Sequence, residues 1–475
     1  MNGLFQKDFF SCCPAPADPL LSGEGKKRTC KILFLLVGIS FILKILYLIP
    51  GMSDPEIYLR VDSFSYLNPA RSLLYDFTYS TNAASNVPAL HRTPFYPLFL
   101  AACLGISRGS ILFCVIVSAL VSSLTLIPLY LSAKIFLKEK YAILAAGSFL
   151  LHPTVFAVFP LIISDTLFVF LVSFILYFYL YFLKKRSLFS LLGAAVVASL
   201  AVLTRPLMLF WGLPAVFVLF FLPQFPLKKK ISYSFLFLLL FSLLPCCWII
   251  RNHHHGAGWR LDIVSADTAK HNVSAFESRR TGIPAYILRE RYEKEAEEAF
   301  RKEPEKYASR SSRLSFHEER LARTMKEHPF SYFALHFRPV VLIPDGASFF
   351  ENLRLTTSGR NTWDVINRKG IIAGIRHYFN GCLFLPFTAS PLFLLAGLIL
   401  LCGVSGIFVA LCKKCIFPVL LFLLFCEYFL FMTGPVAMPR YQLPALPFLC
   451  ILASGTLQFL LEHFKKTFTI LSECK

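Results

Sequence analysis

Six charged side chains stand at the edges of long apolar stretches, where they can reach the surface of a membrane. In chain order they are Asp62, Arg92, Asp165, Arg205, Arg251 and Arg440. A guanidinium group is planar and permanently charged, so it suits the oxygens of a phosphate. A carboxylate at the same depth supplies a base or a metal ligand. These residue types together predict a site for a lipid phosphate with a carboxylate beside it.

Each of these residues also has a purely structural interpretation. An arginine at a helix end is commonly an anchor whose charged tip reaches the interface. Asp165 could serve only as a helix N-cap, and Asp62 could be an ordinary loop residue. The consecutive histidines at 253–255 cannot all face one ion, and no other ligand spacing accompanies them. The sequence therefore leaves a metal ion unassigned.

The composition places the chain in a membrane. Of its 475 residues, 56% are hydrophobic and 16% are charged, and the mean hydropathy is +0.60. A net charge of +20 would suggest nucleic-acid binding in a soluble protein, but the lysines and arginines lie in short clusters between apolar runs, as the positive-inside rule describes. We therefore expect membrane lipids as partners and no nucleic acid.

The apolar runs predict a protein that is all α-helical and crosses the membrane many times. A crossing needs about 20 mainly apolar residues. Ten runs come close to this length: 31–49, 110–135, 141–161, 165–183, 187–204, 207–224, 231–250, 387–411, 415–433 and 442–461. The apolar segment 94–105 is too short, so we predict that it is interfacial or re-entrant. No cleavage site follows the first run, which we expect to remain as the first helix.

The basic clusters predict the orientation. If segment 94–105 does not cross, all of them fall on one side, which the charge rule makes cytoplasmic. They lie at 26–28, 138–140, 184–186, 228–230, 413–414 and 465–466. Both termini are then cytoplasmic. The six candidate residues face the opposite compartment.

This topology divides the chain into four regions. They are a cytoplasmic tail (1–30), a transmembrane module with a helical first outer loop at 50–109 (31–250), an outer soluble insert with interfacial helices (251–386), and C-terminal transmembrane helices with a short cytoplasmic tail (387–475). Segment 286–326 is rich in Glu, Lys, Arg and Ala at helical spacing. It predicts at least one water-exposed helix in the insert.

Several short motifs resemble the GT-C superfamily of membrane glycosyltransferases. The resemblance is to the branch that contains protein O-mannosyltransferases, aminoarabinose transferases and lipopolysaccharide-core galacturonosyltransferases. It is carried by the segments 62–66, 92–101, 164–168, 203–206, 248–252 and 440–444. Each segment is weak alone, whereas their order, spacing and common side make a fairly specific signal.

The resemblance implies a GT-C-like bundle of about ten helices and a polyprenyl-phosphate sugar as the donor. It implies that Asp62 is the catalytic residue and Asp165 a second acidic residue, and some members bind a divalent metal between such acids. We assign the binding of the donor phosphate to Arg251 and Arg440, together with Arg205 and Arg92. Further candidate contacts to substrate are Tyr66, His91, Tyr96, Asn252 and Tyr441.

The sequence departs from two of these relatives. At 91–94 the aminoarabinose transferases carry an acidic residue and a lysine before paired prolines, and protein O-mannosyltransferases carry a second acidic residue where Ser63 follows Asp62. The sugar and the metal therefore stay open. The sequence does not choose among lipid A or core saccharide, another envelope glycan and protein as the acceptor.

The predicted function is transfer of a hexosyl or pentosyl group at the periplasmic face of a bacterial inner membrane. One alternative is a transporter or flippase of lipid-linked sugars, suggested by Lys44 and Glu427 inside apolar runs. However, the other charges crowd one face instead of the bilayer midplane, where a transporter would hold them. A second alternative is a polymerase or ligase of lipid-linked glycans.

Overall fold

The computed structural model describes residues 23–473 apart from 83–86, 221, 223–224, 357–361, 380, 382–383 and 413–415. The basic cluster at 413–414 and most of the tail at 1–30 therefore lie outside the described residues. In the described part the protein is all α-helical, and its β structure amounts to one isolated antiparallel bridge between Ser80 and Pro88. The predicted fold class is confirmed at this level.

Among the described residues, six helices are long and apolar enough to cross a membrane. They are Gly25–Gly51, Ile111–Lys134, Asp165–Lys185, Leu227–His254, Phe387–Cys412 and Leu446–His463. Each coincides with a predicted run. Three other predicted runs appear as shorter apolar helices at Leu188–Val202, Pro206–Phe220 and Pro418–Phe431. The segment predicted not to cross forms a helix of 12 residues, Phe95–Ile106.

The one remaining predicted run, 141–161, is not one continuous helix. It divides into Glu139–Leu150 and Pro153–Val158. Proline lacks an N–H and clashes with the preceding turn, so a helix ends before it and a new one starts with proline in its first turn. His152 stabilises the new start, because its Nδ1 accepts from the N–H of Thr154 at 3.3 Å.

The N-terminal half consists of helices α1 to α11. In order they are Gly23–Leu48, Val61–Tyr75, Phe95–Ile106, Ile111–Leu124, Leu126–Lys134, Glu139–Leu150, Pro153–Val158, Asp165–Lys185, Leu188–Val202, Gly212–Phe220 and Leu227–His254. Short 3-10 helices occur at Ile49–Gly51, Pro55–Tyr58 and Pro206–Trp211. The first loop is thus helical, as predicted.

The C-terminal half consists of helices α12 to α22. In order they are Val264–Thr281, Ala285–Lys302, Arg310–Glu327, Pro329–Ala334, Gly346–Asn352, Thr362–Lys369, Ile371–Tyr378, Leu385–Cys412, Ile416–Phe422, Tyr428–Phe431 and Leu446–Glu473. A π-helical turn, Leu423–Glu427, separates α20 from α21, and 3-10 helices occur at Pro339–Leu342 and Pro439–Gln442. The water-exposed helix predicted at 286–326 corresponds to α13 and α14, whose charged side chains are largely exposed.

Helix α8 lies at the centre of the apolar core. Of its most apolar window, 72% is buried inside the protein, against 17% for α19. Helices α4, α5 and α9 pack around it. Since Asp165 is the first residue of α8, the most enclosed of the six candidate membrane spans begins at a candidate site residue.

Candidate functional site

A pocket of about 740 Å³ opens beside the start of α8. Its walls come from the first loop, the ends of α8 and α9, the segment 259–271, and the segment 432–444. Three backbone hydrogen bonds bring these distant segments together. They join Phe95 N to Leu203 O at 3.0 Å, Ile162 N to Tyr58 O at 3.1 Å, and Ile263 N to Leu90 O at 3.0 Å.

Asp62 lies in the first turn of α2 and lines the pocket. The turn is fixed by a capping box in which the N–H of Arg60 donates to Ser63 Oγ at 2.8 Å. Two arginines contact the Asp62 carboxylate. Arg92 Nη2 lies 2.9 Å from Oδ1, and Arg440 Nη2 lies 3.4 Å from Oδ2. With 46% of its side chain exposed, the carboxylate remains accessible from the pocket.

Arg92 is held from three directions. Besides Asp62, its Nε donates to Ser65 Oγ at 2.8 Å, and its guanidinium stands 4.6 Å from the centre of the Tyr66 ring. The hydroxyl of Tyr79 donates to the backbone carbonyl of Arg92 at 2.8 Å. The predicted contact residues Tyr66 and Arg92 therefore belong to one packed unit around the catalytic candidate.

Asp165 forms a second ion pair in the same pocket, with Arg205. Asp165 is only 4% exposed. The interpretation of Asp165 as a helix N-cap alone is wrong, since Ser164 is the N-cap residue and the carboxylate faces a guanidinium instead. The hydroxyl of Ser164 lies 3.2 Å from that of Tyr66, which links the two ion pairs.

The pocket carries an excess of positive charge near Asp62. Three arginines (Arg92, Arg205 and Arg440) oppose two aspartates (Asp62 and Asp165), which leaves 3 − 2 = 1 positive charge. Among the described residues, the Nε of Arg440 is buried without a hydrogen-bond partner. A buried donor without a partner is costly, and an anionic ligand oxygen in the pocket would satisfy it.

Arg251 and Asn252 stand outside the residues that line the pocket. Arg251 Nη1 donates to Ala89 O at 2.8 Å, and its Nη2 donates to Tyr79 O at 3.1 Å. Asn252 is fully buried and donates to the carbonyls of Arg260 and Leu261 at 3.1 and 2.8 Å. Their predicted contacts with substrate stay predictions, and in the structure both residues support the loops that form the pocket wall.

The remaining candidates also divide into residues that line the pocket and residues that do not. Tyr441 lines the pocket, with the Arg205 and Arg440 guanidiniums 5.9 and 5.7 Å from its ring centre. Tyr96 is buried behind the pocket, edge-on to Tyr66 at 5.0 Å between ring centres. His91 is exposed and does not line the pocket.

Sequence reasoning missed one wall of the pocket, which the segment 259–271 supplies. The side chains of Trp259, Asp262, Ser265, Thr268 and His271 line it. Burial raises the pKa of Asp262 to about 6, against an ordinary value near 4. The signal for this wall was weak, since α12 is not strongly apolar and carries none of the motifs that suggested the site. The available signal was an Asp and a Trp just after a predicted membrane helix.

The residues of this pocket do not fit a divalent metal ion in the observed arrangement. Within the described ranges, no group of three His, Cys, Asp or Glu side chains could hold one. Asp62 and Asp165 each already face a guanidinium. A cation between them would meet Coulomb repulsion from those arginines.

The two residues that suggested transport do not form a polar pathway. Lys44 is fully buried and donates to Ser40 Oγ at 2.7 Å, with Ser123 Oγ at 3.4 Å. Glu427 lies in the π-helical turn and is partly exposed. Neither lines the pocket described above.

An all-helical membrane protein whose pocket combines carboxylates and arginines at helix ends has the features of an enzyme for phosphate-bearing lipids. Residues 91–249, a third of the chain, match the family described as dolichyl-phosphate-mannose-protein mannosyltransferase. No curated protein matches the chain. The resemblance to the GT-C superfamily is thereby confirmed, and the chain is a membrane glycosyltransferase that takes its sugar from a polyprenyl-phosphate donor.

The matched region contains part of the pocket. Arg92, Asp165 and Arg205 fall within it, whereas Asp62, Arg440 and the wall at 259–271 fall outside. The family match therefore covers Asp165 and two of the three arginines near Asp62, and leaves the rest of the pocket to be interpreted from its geometry.

Proposed function

We propose that this enzyme transfers a glycosyl group from polyprenyl phosphate to an acceptor hydroxyl in this pocket, with Asp62 as the catalytic carboxylate. The observation that carries the proposal is the position of Asp62, which is accessible from the pocket while Arg92 and Arg440 contact its two oxygens. One carboxylate for the acceptor and several guanidiniums for the phosphate are what such a transfer requires.

The reaction is a direct displacement. The acceptor oxygen forms a bond to the anomeric carbon while the bond from that carbon to the phosphate oxygen breaks. The acceptor proton passes to Asp62, and the polyprenyl phosphate leaves with the electron pair and an added negative charge. Arg92, Arg205 and Arg440 stabilise that charge. A single displacement inverts the anomeric configuration.

Donor binding rearranges the arginines around Asp62. A phosphate near Arg92 and Arg440 competes with Asp62 for their N–H groups. The unpartnered Nε of Arg440 offers a first contact without breaking any existing hydrogen bond. As the guanidiniums turn towards the phosphate, an oxygen of Asp62 becomes free to accept from the acceptor hydroxyl.

The orientation follows from the positive-inside pattern. The bundle has about ten crossings in the GT-C manner. Beside the six long helices they are the three shorter apolar helices Leu188–Val202, Pro206–Phe220 and Pro418–Phe431, and the divided segment 141–161. Both termini are cytoplasmic, and the pocket faces the periplasm of a bacterial inner membrane, where a lipid-linked donor presents its sugar. The acceptor is a component of the cell envelope.

The test is release of polyprenyl phosphate by the purified enzyme. Short-chain polyprenyl-phosphate sugars, including the mannose that the family description names, are supplied with envelope extract as a source of acceptors. Wild type should release polyprenyl phosphate from at least one donor, and Asp62→Ala should not. Equal release by both proteins would remove Asp62 from the mechanism. No release from any donor would count against the proposed reaction.

A further inference from the structure

The wall at 259–271 differs chemically from the side of the pocket that carries Asp62. It places an aromatic ring, two hydroxyls, a carboxylate and an imidazole on the pocket, from Trp259, Ser265, Thr268, Asp262 and His271. The opposite side carries Arg92, Arg205 and Arg440. One pocket therefore holds a half rich in arginine and a half whose one arginine, Arg260, is paired with Glu318.

Trp259 is exposed yet firmly supported. Trp259 is 70% exposed, although a tryptophan usually buries most of its surface. Its ring centre lies 4.2 Å from that of His253, at an interplanar angle of 34°. Asn252 fixes the following turn through the carbonyls of Arg260 and Leu261. A rigid, exposed aromatic face in a pocket is suited to bind a ligand, since little ordering remains to be done.

The neighbouring arginine is occupied by contacts within the protein. Arg260 forms a bidentate pair with Glu318, with Nε to Oε1 at 2.8 Å and Nη2 to Oε2 at 2.6 Å. Its Nη1 donates to Ala257 O at 2.8 Å and to Ser311 Oγ at 3.0 Å. Arg260 lines the pocket too, but Glu318 neutralises its charge, and these contacts hold the backbone beside Trp259 in place.

Helix α12 presents polar groups to the pocket at a helical repeat. Ser265, Thr268 and His271 are three residues apart in turn, so they follow one face of the helix. Burial and the Arg289 guanidinium lower the pKa of His271. Asp262 precedes the helix, and its Oδ1 accepts from the N–H of Ser265 at 3.1 Å.

We infer that the wall at 259–271 is the acceptor subsite, and that the acceptor group it holds is a saccharide. The inference rests on the proposed function, which gives the arginine-rich half to the donor phosphate. The apolar face of a sugar ring packs on an aromatic ring such as Trp259, and its hydroxyls pair with the hydroxyl and carboxylate groups beside it. This is the usual composition of a small-ligand site, with one apolar surface and a few convergent polar groups.

A peptide acceptor fits this wall less well. Extended peptides are commonly bound by adding a strand to a sheet edge, and the described residues of this pocket offer helix and turn instead of a strand. The wall also lacks an unpaired cation that would select an acidic peptide. A saccharide uses both the ring face of Trp259 and the hydroxyls of α12.

The experiment measures binding of soluble oligosaccharides to the full-length enzyme in lipid nanodiscs by calorimetry. The panel contains neutral and amino-sugar oligosaccharides and one Ser/Thr-containing peptide. The proteins are wild type, Trp259→Ala, Trp259→Phe and the control Tyr286→Ala, which removes an exposed aromatic residue of α13 that does not line the pocket. Thr268→Val removes one hydroxyl at nearly constant volume.

Wild type and Tyr286→Ala should bind a saccharide equally. Trp259→Ala should weaken binding roughly 10-fold or more, with Trp259→Phe between them, and Thr268→Val should weaken it to a smaller extent. Saccharide binding that is absent, or is the same in Trp259→Ala, overturns the inference, as does peptide binding that depends on Trp259. Asp62-dependent release of polyprenyl phosphate by wild type with envelope extract tests the proposed function separately. Release without any saccharide binding overturns the inference alone, whereas no release from any donor overturns the proposed function.

Discussion

Arg92 Nη2 lies 2.9 Å from Asp62 Oδ1, and this contact joins the first turn of α2 to the segment that leads into α3. Arg92 itself rests on Ser65 and the Tyr66 ring. The direction of the carboxylate is thus fixed before any substrate arrives. The same contact holds Arg92 in the pocket, where the proposed reaction needs a guanidinium for the charge that develops on the phosphate.

Replacement of Asp62 by Asn should abolish turnover and preserve donor binding. Asparagine keeps the shape of the side chain but cannot accept the proton of the acceptor. Loss of a positioned acid or base typically costs about 10²- to 10⁴-fold in rate. Release of polyprenyl phosphate measures turnover, and donor-induced stabilisation measures binding. Asp54→Asn is the matched control, because Asp54 belongs to an exposed pair with Arg354 in the same loop, and it should remain active.

The Asp165–Arg205 pair predicts a large effect on stability. Arg205→Ala leaves a buried carboxylate without its cation, which typically costs about 3–5 kcal/mol. The melting temperature in detergent should fall clearly. The double variant Asp165→Asn, Arg205→Gln removes both charges and should recover part of the loss. Arg28→Ala removes an exposed arginine from Glu139, which keeps Lys134 at 3.7 Å as a second partner, and should change the melting temperature little. An Arg205→Ala protein as stable as wild type would show that the pair has no structural role.

Sequence reasoning recovered the helices, the motifs and the chemistry of the arginine-rich side, because apolar runs and charged residues at their ends are visible locally. It did not recover which of the arginines line the same pocket. Arg92, Arg205 and Arg440 reach one pocket, whereas Arg251, at an equivalent helix end, turns to the carbonyls of Tyr79 and Ala89. That outcome depends on contacts between segments more than 150 residues apart. No local pattern carries it.

The pKa of Asp262 predicts how stability depends on pH. Burial raises this pKa to about 6, so the folded protein holds the proton more tightly than the unfolded chain. The resulting stabilisation is complete below about pH 4 and is lost as the pH rises through about 6. Between pH 5 and pH 7 the free energy of unfolding falls by about 1 kcal/mol through this group.

The measurement compares wild type with Asp262→Asn. Histidines titrate in the same range in both proteins, so the informative quantity is the difference between the two pH profiles of the melting temperature. Asn cannot titrate, and the variant should therefore lose less stability than wild type on going from pH 5 to pH 7. Identical profiles would mean that the Asp262 carboxyl titrates normally.

Arg60 should act as a positioning residue for Asp62. Its backbone N–H belongs to the capping box of α2, and its guanidinium donates to Ile57 O at 2.7 Å and Asn352 Oδ1 at 3.2 Å. Arg60→Gln should loosen the start of α2 and lower kcat about 10- to 100-fold with little change in the KM for donor, since small misplacements of a reacting group are costly. Glu351→Gln is the control, because Glu351 lies 3.9 Å from Arg60 and is partly exposed. An equal loss in both variants would assign the effect to charge instead of geometry.

Arg251 distinguishes a phosphate ligand from a structural residue. Its guanidinium spans two carbonyls of the first loop, with Trp248 and Tyr79 ring centres 4.8 and 5.3 Å away. Arg251→Lys retains the charge, but one ammonium group cannot reproduce a planar fork between two acceptors. An unsatisfied buried polar group typically costs about 1–3 kcal/mol. Arg251→Lys should therefore lower the melting temperature and expose segment 79–90 to proteases while the KM for donor stays near that of wild type. Arg279→Ala, at an exposed position of α12, controls for loss of a surface arginine. A rise in the KM for donor without loss of stability would instead place Arg251 on the donor phosphate.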